Sequence, residues 1–194
     1  MRTIKYFNFF CFLLTIPLFL AVLVNAQILP PVDIPVINIP QKTKAWCWVA
    51  VSQQIIMFSQ GLQRTPPQCA LVAIANNAPP EVCSSGYNPL CVRPGSIRQI
   101  QKLIAYFGGR YTTIAPPTDP LTIYRTLASG RPIILQVKTG IQSGHVVVLR
   151  GMSFIPRRHG IEPVLHINDP SSYFTKPVPF LKLLRLWISA IVVH

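Results

Sequence analysis

Gly130 divides this sequence into two halves with different apolar periodicities, and that change limits the fold more than any single motif does. Before it, apolar residues recur at helical intervals: Trp48, Val51, Ile55 and Phe58, then Ile97, Ile100, Ile104 and Phe107, then Leu121, Tyr124 and Leu127. After it, Val, Ile and Leu come in runs over 132–138, 144–151, 163–167 and 187–193, separated by Gly, Ser and Pro. Helices followed by antiparallel strands define an α+β domain of two lobes, with a cleft between them as the natural place for chemistry. Punctuation agrees with the periods. Gly61 stops the first helix, a further helical segment covers 68–75, and 76–94 is rich in turn formers. Ser96 and Gln99 have capping-box spacing before a helix that Gly108-Gly109 ends, and Asp119-Pro120 opens another.

Residues 1–26 read as an export signal. Arg2 and Lys5 supply the positive start, 7–24 is nearly all apolar, and Val24-Asn25-Ala26 offers small residues for cleavage before Gln27. An uncleaved membrane anchor is the competing reading, but Asn8, Thr15 and Pro17 interrupt the run, and Cys11 has no lipobox around it. The expectation is therefore a secreted or periplasmic protein. Residues 27–40 carry Pro30, Pro31, Pro35 and Pro40, a density that forbids helix and predicts an extended arm leading into a domain over 41–194. Without Arg2 and Lys5, 16 of the 18 Lys and Arg remain against 5 acidic residues, a net charge of +11. That balance favours anionic surfaces. The basic residues are scattered, with only Arg157 and Arg158 adjacent, so specific nucleic-acid binding is not expected.

Past the export signal there are four cysteines, Cys47, Cys69, Cys83 and Cys91. Cysteines of exported proteins mostly pair, and one left over is a candidate reactive thiol. Cys83 with Cys91 is the favoured bridge, because it closes a short loop, although spacing alone does not decide pairing. The sequence lacks C-x-x-C and H-x-x-x-H spacings, so neither a metal nor an organic cofactor is expected.

Cys47 opens the first apolar helix between Trp46 and Trp48. There the unpaired N–H groups and the positive end of the helix dipole favour thiolate. Gln41, six residues upstream, offers an amide donor to an oxyanion. A thiol nucleophile also needs a base and a group to orient that base. His145 follows Gly144 at the opening of an apolar strand, facing the cleft. The returning strand ends at Asn168-Asp169-Pro170, and antiparallel pairing brings Asp169 or Asn168 level with His145. His159 falls in an exposed hairpin turn, His166 within a strand as a satisfied structural histidine, and His194 at the end. Taken singly, each feature has a plainer explanation: a cysteine in an apolar helix is commonly core, and Asn-Asp-Pro is a common turn opening. Together, four roles occur in the right order with fitting local structure.

These residues resemble the papain-like cysteine peptidases of bacteria, above all the avirulence-effector type and, at greater distance, the bacteriocin leader-processing (double-glycine) peptidases. The resemblance rests on Gln41 to Ala50, Gln68-Cys69, Cys91 with Pro94-Gly95, Gly130-Arg131-Pro132-Ile133, Gly144-His145-Val146-Val147 and Asn168-Asp169-Pro170. It implies a papain-like two-lobed fold and a monomer, with Cys47 as nucleophile, His145 as general base and acid, Asp169 as orienting acid and Gln41 as oxyanion donor. Some papain relatives orient the histidine with asparagine, which keeps Asn168 as a rival. Relatives often have adjacent cysteines where this chain has Cys83-Ser84. The activity implied is that of a secreted protease acting on proteins or peptides, as an effector or toxin. An amidase acting on peptidoglycan stem peptides and a non-catalytic binding module are the alternatives.

Overall fold

The computed structural model describes residues 29–83, 88–112, 119–140 and 144–194; residues 1–26, read above as an export signal, lie outside them. The proline-rich arm is extended and contributes a short strand, β1 (Val32–Asp33), antiparallel to a long strand of the C-terminal half through Val32↔Met152 and Asp33↔Gly151. The backbones approach so closely there that a Cβ on Gly151 would lie 2.6 Å from the Val32 carbonyl oxygen.

The first helix, α1 (Cys47–Gln60), is apolar on nearly every side. Trp48, Val49, Ala50, Val51, Ile55 and Ile56 are all buried, so the helix runs through the interior rather than along a surface. Phe58, expected on the inward stripe, is exposed beyond the point where the helix leaves the core. The segment after Pro67 forms α2 (Gln68–Asn76), ended by Asn77 in the left-handed conformation at φ 52°. The short α3 (Pro89–Val92) carries Cys91 and closes the Cys83–Cys91 disulfide loop. Next, α4 (Ile97–Tyr106) starts with the full Ser96/Gln99 capping box and buries Ile100, Leu103 and Ile104. Asp119 caps α5 (Pro120–Ala128) by accepting from the Thr122 N–H at 3.0 Å. This helix buries Ile123 and Leu127, one turn apart, whereas Leu121, expected inward, is exposed.

The second half supplies β2 (Ile133–Lys138), β3 (Gly144–Arg157), β4 (Gly160–Asn168), β5 (Val178–Pro179), the short α6 (Phe180–Leu184) and β6 (Trp187–Val192). The strands form one antiparallel sheet in the order β5-β4-β3-β2-β6, with β1 alongside β3. Both β3 and β4 extend well past the apolar runs that predicted them. Met152 to Arg157 pairs with Gly160 to Leu165 as a ribbon that turns at Gly160, φ 130°. Backbone hydrogen bonds sustain a strand there after the apolar run has ended. One continuous core joins Ile55, Ile104 and Leu127 of the helices to Leu135, Val147, Leu149 and Ile191 of the sheet. Among the described residues, no helix is long and apolar enough to cross a membrane.

Candidate active site

Cys47 is the first residue of α1, half-buried, and it keeps its thiol. Its flanking tryptophans explain why it stays in place. The Trp46 indole Nε1 donates to the Cys91 carbonyl oxygen at 2.8 Å, tying the residue before Cys47 to the disulfide loop. The Trp48 indole lies flat under Gly95, where a Cβ would come within 2.2 Å of the ring. Both rings are buried in the core, so the sulfur between them is held at the helix's first turn, where N–H groups lack intrahelical acceptors.

His145 is the second residue of β3, opposite Val137 of β2. Its Nε2 lies 2.7 Å from Asp169 Oδ1, which leaves Nδ1 for another partner, and Cys47 is near enough to influence the imidazole's pKa. Burial is the largest influence on His145 and pushes its pKa down. The Asp169 hydrogen bond, the Cys47 hydrogen bond and the charges of both partners outweigh it together, raising the pKa to about 9. Asp169 is 2% exposed. Burial pushes its carboxyl up, but hydrogen bonds from His145 and from the Phe174 and Ser171 N–H groups hold it below the usual carboxylate value. Those N–H bonds are both 2.8 Å long, and the Ser171 hydroxyl adds a third contact at 2.9 Å.

Asn168, the rival orienter, does not reach the imidazole. Its Oδ1 accepts from Arg150 Nε at 3.0 Å and its Nδ2 donates to the Val36 carbonyl oxygen at 2.7 Å, so it joins the sheet to the arm. Gln41 lies at the end of that arm. Its backbone N–H donates to the Pro170 carbonyl oxygen at 3.0 Å, beside Asp169, and its Nε2 donates to the Thr43 carbonyl oxygen at 2.8 Å. One amide hydrogen holds the side chain and the second is left for another acceptor. His166 is satisfied by Ser153 at 2.8 Å, His159 sits in the β3–β4 turn, and His194 is exposed. Cys69 also keeps its thiol, which donates to the Pro80 carbonyl oxygen at 3.7 Å.

Sequence reasoning gave Ser171 no role, although its hydroxyl is 3.1 Å from His145 Nε2 as well as bonded to Asp169. Asp-Pro-Ser is the signature of an Asx-turn, in which an Asp side chain accepts from the N–H two residues on, and that signal was available. Among the described residues, no cluster of three His, Cys, Asp or Glu side chains could hold a metal ion.

A cysteine at the start of an interior helix, facing a histidine at the start of a strand in an antiparallel sheet, defines the papain-like α+β peptidase fold. Solved structures agree on that fold. The chain is similar to the peptidase domain of Streptococcus ComA, described as a bifunctional ABC transporter involved in quorum sensing, with a TM-score of 0.58 at 15% identity. The match covers 81% of this chain and 96% of that one. It is also similar to a putative C39-like peptidase from Bacillus anthracis, with a TM-score of 0.56 at 16% identity, over 85% of this chain and 98% of that one. No protein-family model and no curated protein matches the sequence. At these identities the likeness is one of fold.

Proposed function

We propose that this chain is an exported cysteine peptidase that hydrolyses peptide bonds through Cys47, His145 and Asp169. The observation that carries the reading is a buried imidazole whose Nε2 lies 2.7 Å from Asp169 and whose pKa is raised by both Asp169 and Cys47. The Cys47 thiolate attacks the carbonyl carbon, forming a C–S bond, while the oxyanion accepts hydrogen bonds from the Cys47 backbone N–H and the Gln41 amide. The tetrahedral species collapses as the C–N bond breaks and the amine leaves with a proton from the His145 imidazolium. Water, deprotonated by His145, then releases the acyl group and restores the thiol. The Cys83–Cys91 disulfide supports export to an oxidising compartment, as does the signal-like sequence of residues 1–26. Action as an effector or toxin calls for a protein substrate.

Two measurements test the proposal together. Iodoacetamide is expected to alkylate Cys47 far faster than Cys69, and Cys47→Ala to abolish cleavage of a mixed peptide library. Equal labelling of the two cysteines with no cleavage of any peptide would favour the binding module. Release of stem peptides from purified cell wall, without cleavage of the library, would favour the amidase.

A further inference from the structure

Two oxyanion donors are useful only if they stay fixed relative to each other, and here they belong to different segments: the Cys47 N–H to α1 and the Gln41 amide to the arm. We infer that Gln68, the first residue of α2, is the positioning residue that holds them in register. This inference rests on the acyl-transfer reading above.

The Gln68 side chain is 1% exposed, and its amide is committed to three partners. Its Oε1 accepts from the Lys42 N–H at 2.9 Å, and its Nε2 donates to the Pro40 carbonyl oxygen at 2.8 Å. Pro40 and Lys42 are the two neighbours of Gln41, so one side chain clamps the backbone on both sides of the donor. The same Nε2 donates to Gln53 Oε1 at 3.1 Å, and Gln53, on α1, is anchored in turn by donating to the Pro66 carbonyl oxygen at 2.8 Å. Gln68 thereby ties the Gln41 loop to the helix that begins with Cys47. A buried amide is costly unless its donors and acceptor are satisfied, and a methionine would fill this space without that requirement. Three satisfied bonds aimed at residues 40, 42 and 53 indicate that geometry, and not volume alone, is being held. Misplacement of a catalytic group by about 1 Å can lower a rate by about 100-fold, so the clamp bears directly on rate.

The test separates a reaction that forms an oxyanion from one that does not, on the same sulfur. Iodoacetamide is displaced at carbon by the Cys47 thiolate with loss of iodide, and no oxyanion forms. Acylation by p-nitrophenyl acetate passes through one, as the C–S bond forms and p-nitrophenolate leaves. With the chain from Gln27 onward, Gln41→Ala is expected to slow the Cys47-dependent acylation about 100-fold. Gln68→Met is expected to slow it about 10-fold or more, with alkylation unchanged within about twofold. Added to Gln41→Ala, Gln68→Met is expected to cause no further loss, because it acts through Gln41. Gln68→Glu keeps the chain length and the acceptor for Lys42 but turns a second oxygen toward the Pro40 and Gln53 acceptors, and is expected to slow acylation at least as much as Gln68→Met.

Wild-type acylation in Gln68→Met, a full further loss on top of Gln41→Ala, or a parallel fall of alkylation and acylation in both Gln68 variants would each overturn the inference. In those cases the peptidase reading still stands on Cys47-dependent acylation by the wild type. Wild-type protein whose acylation is unaffected by Cys47→Ala overturns both.

Discussion

Asp169 decides how His145 titrates, and that decides the pH range in which the site can work. The folded protein holds the His145 proton up to about pH 9, whereas the unfolded chain releases it near the ordinary histidine value of 6.5. The folded state therefore binds more protons between these values, and the pair's contribution to stability, complete below 6.5, is lost as pH rises through about 9. Asp169 has the opposite sign. Its folded value is lowered from 3.8, so its contribution is complete above that pH and is lost in more acidic solution. The leaving amine needs the imidazolium proton, so hydrolysis is expected to show a basic limb near pH 9, and the melting temperature to fall from pH 6.5 to pH 10. Asp169→Asn replaces the charged acceptor that leads the upward influences with a neutral one and should move that limb down by about one unit or more. An unmoved limb in the pH–rate profile would show that Asp169 does not act on the imidazole. The sequence favoured Asp169 but kept Asn168 as a rival, because both end the same strand. What separates them is the loop beyond, where Ser171 and Phe174 turn their N–H groups onto Asp169, while Asn168 points to Arg150 and Val36.

The start of α1 is built by partners that no local pattern could name. Cys47 at a helix N-terminus was readable from the apolar spacing, but Trp46 and Trp48 are held by the Cys91 carbonyl and the Gly95 backbone, far along the chain. The same limit explains Phe58 and Leu121: a period identifies a helix, while burial depends on where neighbouring elements end. Gly95 gives the contact a direct test. A methyl group there would lie 2.2 Å from Cδ2 of the Trp48 ring, which is 2% exposed, so the ring or the Gly95 backbone has to shift. Gly95→Ala should therefore destabilise the fold by about 1–3 kcal/mol by overpacking and should slow alkylation of the adjacent Cys47. Chemical denaturation reads the first effect and iodoacetamide the second. A variant with wild-type stability would mean that Trp48 can move without disturbing Cys47.

The arm turns two lobes into one working unit. Its prolines disclosed an extended segment, since proline forbids helix, but they carried no information on what the segment would be fastened to. In the folded protein it is fastened to both lobes: Asp33 to Arg150, Val36 to Asn168, Asn38 to the Asp169 carbonyl oxygen and to Gln54 of α1, and Gln41 to Pro170. These contacts are not equal in energy, and magnitude tells which matter. The Asp33 side chain is 53% exposed, and an exposed ion pair contributes about 0–1 kcal/mol, so Asp33→Ala should change stability little. Arg150 also donates to Asn168, which is 5% exposed, and its loss leaves a buried acceptor unsatisfied at a cost of about 1–3 kcal/mol. Arg150→Leu is therefore expected to destabilise the protein more than Asp33→Ala in urea unfolding, and to lower peptide hydrolysis as well, because Asn168 precedes Asp169. Equal effects of the two substitutions would mean that the arm is held by its surface charge alone. In that case the hydrogen bonds that run from Arg150 through Asn168 to Val36 would have no part in keeping the acid beside His145.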